Sequence, residues 1–476
     1  MVALMVWGTS SWAGKSLVTT ALCRHFARLG VSVAPFKGQN MANNARVVDG
    51  GEIGSSQYLQ ALAAGVVPDV RMNPVLLKPE AGTSQVVVLG QVDRAVSRLP
   101  WRDRAAHLRP VVLEALHDLH DQYDLVVMEG AGSPAEINLS RDDIVNLAPA
   151  SAVDAAAILV TDIDRGGAFA SLVGTHDLLE PAHRRRLVGF VLNKFRGDAS
   201  LLPPAPELVE ERTGVPTLGV LPMLDHALPD EDGADPHRRG TGPVVALVRY
   251  PTASNLDEYA ALATCTDLRH VFRPADLPAG PDLVILPGSK HVSSDRDWLE
   301  ASGVGAAVRR AAADGARVVG VCGGLQLLGT SLAPDDDPGH VGHEHGGDGL
   351  DLLPLVTTFD VVKTTVASRV TFAPVDGPFD VLSGIEVEGY EIRVGRSRAT
   401  STGPGTAPVG TLVDDHRGWA RGNVAGWYLH GMFEDHRVLR ALLGVRPMTT
   451  LEETFDGLAD ALVENLDLAP LERLLD

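Results

Sequence analysis

The stretch Trp7-Gly-Thr-Ser-Ser-Trp-Ala-Gly-Lys15-Ser16 follows the apolar run Val2-Ala-Leu-Met-Val6 and opens a segment with helical periodicity. A strand, a glycine-bounded turn and a helix N-terminus in that order form a phosphate cradle. The turn's backbone N–H groups and the positive end of the helix dipole converge there on an anion. In such a cradle Lys15 neutralises phosphate charge and the Ser16 hydroxyl holds Mg²⁺. Counting back from Gly14-Lys15-Ser16, Thr9 rather than Gly8 stands where the usual spacing has its first glycine, so the loop is one residue longer. The nucleotide contacts expected from this stretch are Gly8, Thr9, Gly14, Lys15 and Ser16.

A chain of 476 residues exceeds what one hydrophobic core organises, and two or three domains are expected. Apolar residues make up 45% of it, which is a globular composition. The net charge of −20 argues against nucleic acid or an anionic membrane as partner, since both select basic surfaces. Cys23, Cys265 and Cys322 are widely separated and form neither a metal nor a disulfide spacing, which suits a reducing cytoplasm. No basic start leads into a long apolar run, and no apolar stretch is long enough to cross a bilayer. A soluble cytoplasmic protein is expected.

The first half alternates short β-rich runs with helical patterns, the arrangement of a mostly parallel sheet covered by helices. Val18, Leu22, Phe26 and Leu29 share one helical face, and Gly30 ends that helix before Val31-Ser-Val-Ala34 begins a strand. Further strands are expected at 125–128, 156–160, 188–192 and 218–221. Ligands of open α/β sheets gather at the carboxyl ends of strands. Glu129 stands there, placed like the second Mg²⁺-site carboxylate of a phosphate-loop enzyme and followed by Gly-Ala-Gly132. Asp162, Asp164 and Arg165 follow the next strand and Asn193 the one after, positions that point to a substrate or nucleotide role. The run Pro35-Phe-Lys37-Gly-Gln39-Asn40-Met-Ala-Asn43-Asn44 is dense in amides and poor in large apolar groups, and composition leaves its ligand open.

Around 225–242 the chain turns acidic, rich in Gly and Pro and aperiodic, as a linker does. A second α/β unit starts with Val244-Val-Ala-Leu-Val248. Its chemical centre is Arg317-Val-Val-Gly-Val-Cys322-Gly-Gly324, an apolar strand turning into an apolar helix through glycines. This is a nucleophile elbow with Cys in place of Ser, where a helix N-terminus favours the thiolate. The cysteine needs a base. His430, at the end of Gly426-Trp-Tyr-Leu-His430, supplies one; His291 and the pair His343 and His345 are rivals. Pro287-Gly288-Ser289 reads as an oxyanion-hole loop, with Gly323 as second donor. The glycine-rich run 335–348 carries acids and histidines without ligand spacing and reads as a mobile loop.

Longer stretches are more distinctive: Pro35-Phe-Lys-Gly-Gln-Asn-Met41, Met72-Asn-Pro-Val-Leu-Leu-Lys-Pro79, Glu129-Gly-Ala-Gly-Ser-Pro-Ala-Glu-Ile-Asn-Leu139, Asp162-Ile-Asp-Arg-Gly-Gly167, Asn193-Lys-Phe-Arg-Gly-Asp198 and Gly389-Tyr-Glu-Ile392. On these the chain resembles the cobyric acid synthase family, glutamine-hydrolysing amidotransferases of cobalamin biosynthesis, over essentially its full length. The first half is similar to dethiobiotin synthetase, whose phosphate loop also carries the extra residue, and the second resembles class I glutaminase domains. The resemblance implies an α/β protein with a P-loop parallel-sheet synthetase domain at 1–226 and a linker at 227–242. A class I glutamine amidotransferase-like α/β domain at 243–445 and a C-terminal helical segment at 446–476 complete it.

The same resemblance implies ATP phosphorylating peripheral carboxylates of adenosylcobyrinic acid a,c-diamide, with ammonia then displacing phosphate to give four amides at positions b, d, e and g. Cys322 attacks L-glutamine with His430 as base. By similarity to dethiobiotin synthetase, Glu52 is a further Mg²⁺ ligand beside Ser16 and Glu129, and Lys37 contacts phosphate or carboxylate, with Gln39 and Asn40 on the same substrate side. ATP and Mg²⁺ take part in turnover, no cofactor is held permanently, and neither nucleic acid nor membrane is a partner; oligomeric state stays open. Two departures stand out. Many glutaminases of this class place an acid two residues after the His, where this chain has Met432, with Glu434 two further on; and Arg393 stands where the family more often has His. The competing readings are cobyrinic acid a,c-diamide synthase, of the same architecture, and a P-loop switch ATPase, which has no use for Cys322 or His430.

Overall fold

The computed structural model describes residues 1–475 except 81–82, 225, 227, 230–240, 335–343, 401–408, 415 and 448. Two parallel sheets organise it. The first has six strands in the order Thr217–Pro222, Leu187–Phe195, Ala156–Asp162, Val2–Gly8, Leu125–Glu129, Val33–Phe36, all parallel. Leu4, Met5, Val6 and Trp7 are fully buried, so both faces of the central strand are covered by helices. A nearly unbroken apolar run is the sequence form of such a strand.

Helix Lys15–Arg28 leaves the carboxyl end of that strand. Val18, Leu22 and Phe26 bury their side chains as the spacing predicts. Leu29 does not: it is 56% exposed. It stands past the last helical turn as the C-cap residue, and Gly30, at φ 83°, turns the chain away before the stripe can continue.

The second sheet has seven strands in the order Asp267–Val271, Val244–Val248, Leu283–Leu286, Arg317–Val321, Val424–Trp427, Gly418–Arg421, Gly410–Val413. The first five are parallel, and the last two add antiparallel edges. A long antiparallel hairpin, Leu355–Thr371 with Glu386–Ala399, runs beside it. A short hairpin of the first half, Ala45–Val48 paired with Gly51–Gly54, lies against this long one.

Within the expected 446–476 segment, helices Leu451–Asn465 and Ala469–Glu472 form, and the first packs back onto the first half. Phe455, Leu458 and Leu462 of helix Leu451–Asn465 join the core around Leu4, Val18, Leu22 and Phe26. Arg24 and Arg28 pair with Asp456 and Asp460 at 2.8 and 2.6 Å. The helix starts in a capping box between Thr450 and Glu453. Most of the expected 227–242 linker, and most of the 335–348 run, lie outside the described residues.

Candidate active site

Gly14 caps the first helix in the left-handed region, at φ 96°. A Cβ there would stand 2.0 Å from Asn193 Nδ2, so the position needs glycine for both conformation and space. Asn193 in turn donates to the Ala13 carbonyl at 2.9 Å, tying the loop to the strand end two places away in the sheet. Lys15 is buried over Gly8, and its Nζ donates to the carbonyls of Ser10 and Gly132 at 3.0 and 3.2 Å. Thr9 faces away from the loop to Thr161, 3.0 Å between hydroxyls.

Glu129 ties these parts together. Its Oε1 accepts from Ser16 Oγ and from Lys37 Nζ, each at 2.8 Å, and its Oε2 accepts from Gln60 at 2.6 Å. Burial works against its charge, but the Lys37 ammonium and the hydrogen bonds from Lys37, Gln60 and Ser16 hold its pKa below the usual carboxylate range. Lys15, Ser16, Lys37, Gln39, Asn40 and Asn193 line one cavity of about 520 Å³, and Lys194 joins them. Three lysines converging on one cavity, in a chain of net charge −20, mark it as a site for an anion.

Not every expected residue comes to this cavity. Asp162 pairs with Lys194 at 3.3 Å and Arg165 at 3.4 Å and caps the backbone of Asp164, while Asp164 and Arg165 point to the surface. Glu52 does not join Ser16 and Glu129 either. It sits in the short hairpin with both carboxylate oxygens taken, one by Lys78 and the other by Lys363 of the long hairpin. Burial opposes its charge, yet the two ammonium groups bring its pKa to about 2. Among the described residues no three metal-ligating side chains gather at one point.

In the second half Cys322 stands between strand Arg317–Val321 and helix Gly323–Leu328 at φ 52° and ψ −108°, the strained turn that an elbow requires. Its Sγ donates to the Ile392 carbonyl at 3.5 Å and interacts electrostatically with His430. Gly288 lets the strand-end loop approach the base, since a Cβ would stand 2.9 Å from His430 Cε1. Gly323 packs on the backbone of Ser289 in the same loop, so the two expected oxyanion donors flank the elbow.

His430 is almost fully buried and orders its own surroundings. Its Nδ1 meets Glu258 Oε1 at 2.9 Å, Gly431 N donates to Glu258 Oε2 at 2.8 Å, and the ring stacks on Tyr390 at 5.3 Å. Burial disfavours the imidazolium, but Glu258 and Cys322 outweigh it and bring the pKa to about 10. With Nδ1–H fixed on a carboxylate, Nε2 serves the sulfur. The rivals have other work: His291 caps helix Val292–Ser302 and faces Glu344 at 3.5 Å, and His345 pairs with Asp297 at 2.8 Å. His343 lies outside the described residues.

Sequence reasoning missed Glu258, which precedes His430 by 172 residues. The available signal was its place in Asn255-Leu-Asp-Glu258, a polar run shortly after the first strand of the second half. The two departures also find their places. Glu434 is engaged by Arg46 of the first half, and Arg393 pairs with Glu391 at 2.7 Å and lies over the Tyr428 ring at 4.2 Å.

Comparison with known proteins places both halves. Residues 4–232 match the CobQ/CobB/MinD/ParA nucleotide binding domain, and residues 244–438 the CobB/CobQ-like glutamine amidotransferase domain. The cobyric acid synthase of Polaromonas naphthalenivorans (strain CJ2) is 52% identical, covering 99% of each chain. That of Paracidovorax citrulli (strain AAC00-1) is 52% identical over 98% of this chain and 97% of its own, and that of Variovorax paradoxus (strain S110) 51% over 99% of both. The chain belongs to the cobyric acid synthase family. As a member of that family it is an enzyme, a glutamine-dependent ligase that uses ATP, built from a nucleotide-binding half and an amidotransferase half. The expected fold class, a P-loop parallel-sheet unit followed by a glutaminase-like α/β unit, is the one observed.

Proposed function

We propose that the enzyme amidates the b, d, e and g carboxylates of adenosylcobyrinic acid a,c-diamide to give adenosylcobyric acid, with nitrogen taken from glutamine. The observation that carries this reading is the continuity of the cavity: Lys15 and Ser16 line it on one side, and Asp257, the residue before Glu258, lines it on another. The cavity therefore borders the turn that carries Glu258.

In the first half, a substrate carboxylate oxygen attacks the γ-phosphorus of ATP and ADP departs. Ammonia then adds to the carbonyl carbon of the acyl phosphate and inorganic phosphate leaves. Lys15, Lys37 and Lys194 offset the negative charge gathered there. The Ser16 hydroxyl and Glu129 carboxylate, 2.8 Å apart, are hard oxygen donors that fit Mg²⁺, which when bound neutralises further charge on the phosphate oxygens. Gln39 and Asn40, on the cavity wall, are placed to read substrate amides and carboxylates.

In the second half, Cys322 attacks the side-chain carbonyl carbon of glutamine. His430, oriented by Glu258, passes a proton to the departing nitrogen. Backbone N–H groups of Gly288 and Gly323 receive the oxyanion, and water then hydrolyses the thioester to glutamate. Three free cysteines support a cytoplasmic location, and no helix of the described residues is long and apolar enough to cross a membrane.

The test is mass spectrometry of the corrinoid after incubation with Mg²⁺-ATP and either glutamine or ammonia. Four successive replacements of hydroxyl by amine are expected with both nitrogen sources, and Cys322→Ser should keep only the ammonia reaction. A corrinoid unchanged in mass with either source would overturn the reading.

A further inference from the structure

Arg46 belongs to the first half, but its guanidinium lies in the second. It is 4% exposed. Nε and Nη2 donate to Asp257 Oδ2 at 3.0 and 2.5 Å, Nη1 donates to Glu434 Oε2 at 2.8 Å, and Nη2 also reaches Glu434 Oε1. Asp257 and Glu434 lie on two short helical turns, Leu256–Tyr259 and Met432–Glu434. Those turns hold the catalytic pair: Glu258 is on the first, and His430-Gly431 leads into the second. One guanidinium therefore ties the turn carrying the carboxylate to the turn following the imidazole.

A second contact makes the same connection. Arg46 lies over the Tyr390 ring at 5.4 Å, and the Tyr390 ring stacks on His430. Tyr390 and His430 also exchange backbone hydrogen bonds at 3.3 and 2.8 Å. Neighbours of Arg46 reinforce the junction: Asn44 Oδ1 accepts from Leu256 N at 2.9 Å, and Asn255 Nδ2 donates to the Ala45 carbonyl at 2.7 Å. The stretch that ends in Arg46 begins at the phosphate site, where Lys37 pairs with Glu129 and Gln39, Asn40 and Asn44 line the cavity.

We infer that Arg46 is a positioning residue for the glutaminase reaction, supplied by the nucleotide-binding half, which aligns Glu258 and His430 by clamping the two turns that carry them. Its contacts are with Asp257, Glu434 and the rings of Tyr58 and Tyr390 and not with Cys322, so it acts on turnover rather than on glutamine binding. The planar fork is essential to this role. A lysine keeps the charge but cannot bridge two carboxylates in a fixed plane.

The inference rests on the proposed division of chemistry between the halves, and the experiment separates the two. Amidation is measured for wild type, Arg46→Ala and Arg46→Lys with glutamine and, in parallel, with ammonia. In Arg46→Ala the glutamine-dependent kcat should fall by about ten- to a hundredfold, the loss that follows from misplacing a catalytic group by about 1 Å. Its KM for glutamine and its ammonia-dependent rate should stay within about twofold of wild type, and Arg46→Lys should recover part of the lost rate. If Arg46→Ala does not fold, Glu434→Gln, which weakens one arm of the clamp at a partly exposed residue, should give the same selective loss at smaller size. Equal loss with both nitrogen sources, or no loss with glutamine, overturns the inference. A wild-type enzyme that uses neither nitrogen source overturns the proposed function, and this inference with it.

Discussion

The phosphate site and the cysteine site are assembled in different ways. The first takes its ion-binding groups from one half: Lys15 and Ser16 start a helix, while Lys37, Glu129 and Asn193 end or closely follow strands of one sheet. The second takes Cys322 from a turn, His430 from a strand end, Glu258 from a distant short turn, and the clamp on those turns from the other half. A site built from local pieces tolerates changes elsewhere in the chain. One built across a junction makes its chemistry conditional on that junction.

The sharpest way to break the comparison is at the two centres themselves. Cys322→Ala should lower glutamine-dependent amidation by about 10⁴-fold or more, with ammonia still accepted. Lys15→Ala should lower turnover with either source by about 10²- to 10³-fold. Comparable losses from both sources in Cys322→Ala would erase the distinction between the sites.

Glu258→Gln sharpens it. The substitution keeps size and the contact to Gly431 but removes the carboxylate that fixes Nδ1–H, and glutaminase turnover should fall by about 10²- to 10⁴-fold. Glutamate release measured alone checks this. A loss under twofold would leave His430 working without an orienting acid.

The next effect is on stability. Phe455 is fully buried in the core that the last long helix shares with the first. Phe455→Ala should cost about 3–5 kcal/mol, read from the urea midpoint. A cost under about 1 kcal/mol would mean that the helix adds little to the first half.

The smallest effect is that of pH on the junction. Glu52 is brought to about 2 from the ordinary glutamate value of 4.5, so its stabilising contribution is present above pH 4.5 and is lost as pH falls toward 2. The urea midpoint of the wild type should drop over that window more than that of Glu52→Gln. Parallel curves would remove Glu52 from the account. His430 has the opposite sign: its pKa is raised from 6.5 to about 10, so its contribution is present below pH 6.5 and is lost as pH rises through 10.

What was legible in the sequence was local. The phosphate loop, the elbow and the strand-end carboxylate each declare themselves within about ten residues, because turn chemistry and helix starts are short-range. Glu258, Arg46 and Lys363 act across 172, 211 and 311 residues, and no periodicity links such positions. Glu52 was assigned by likeness to another enzyme, and here its hairpin faces the neighbouring half. The family resemblance implies a helical C-terminal segment, but it does not say which core the helix completes.

The return of that helix also governs how the polypeptide can be divided. The chain leaves the first sheet after Pro222 and comes back at Leu451, so the glutaminase half is an excursion pinned at both ends rather than a bead on a thread. A chain cut at 242 would carry the whole phosphate loop yet leave Val18, Leu22 and Phe26 without the lid that Phe455 and Leu458 provide. Supplying 443–476 as a separate peptide, not the intact second half, is the minimum that would re-cover that apolar face.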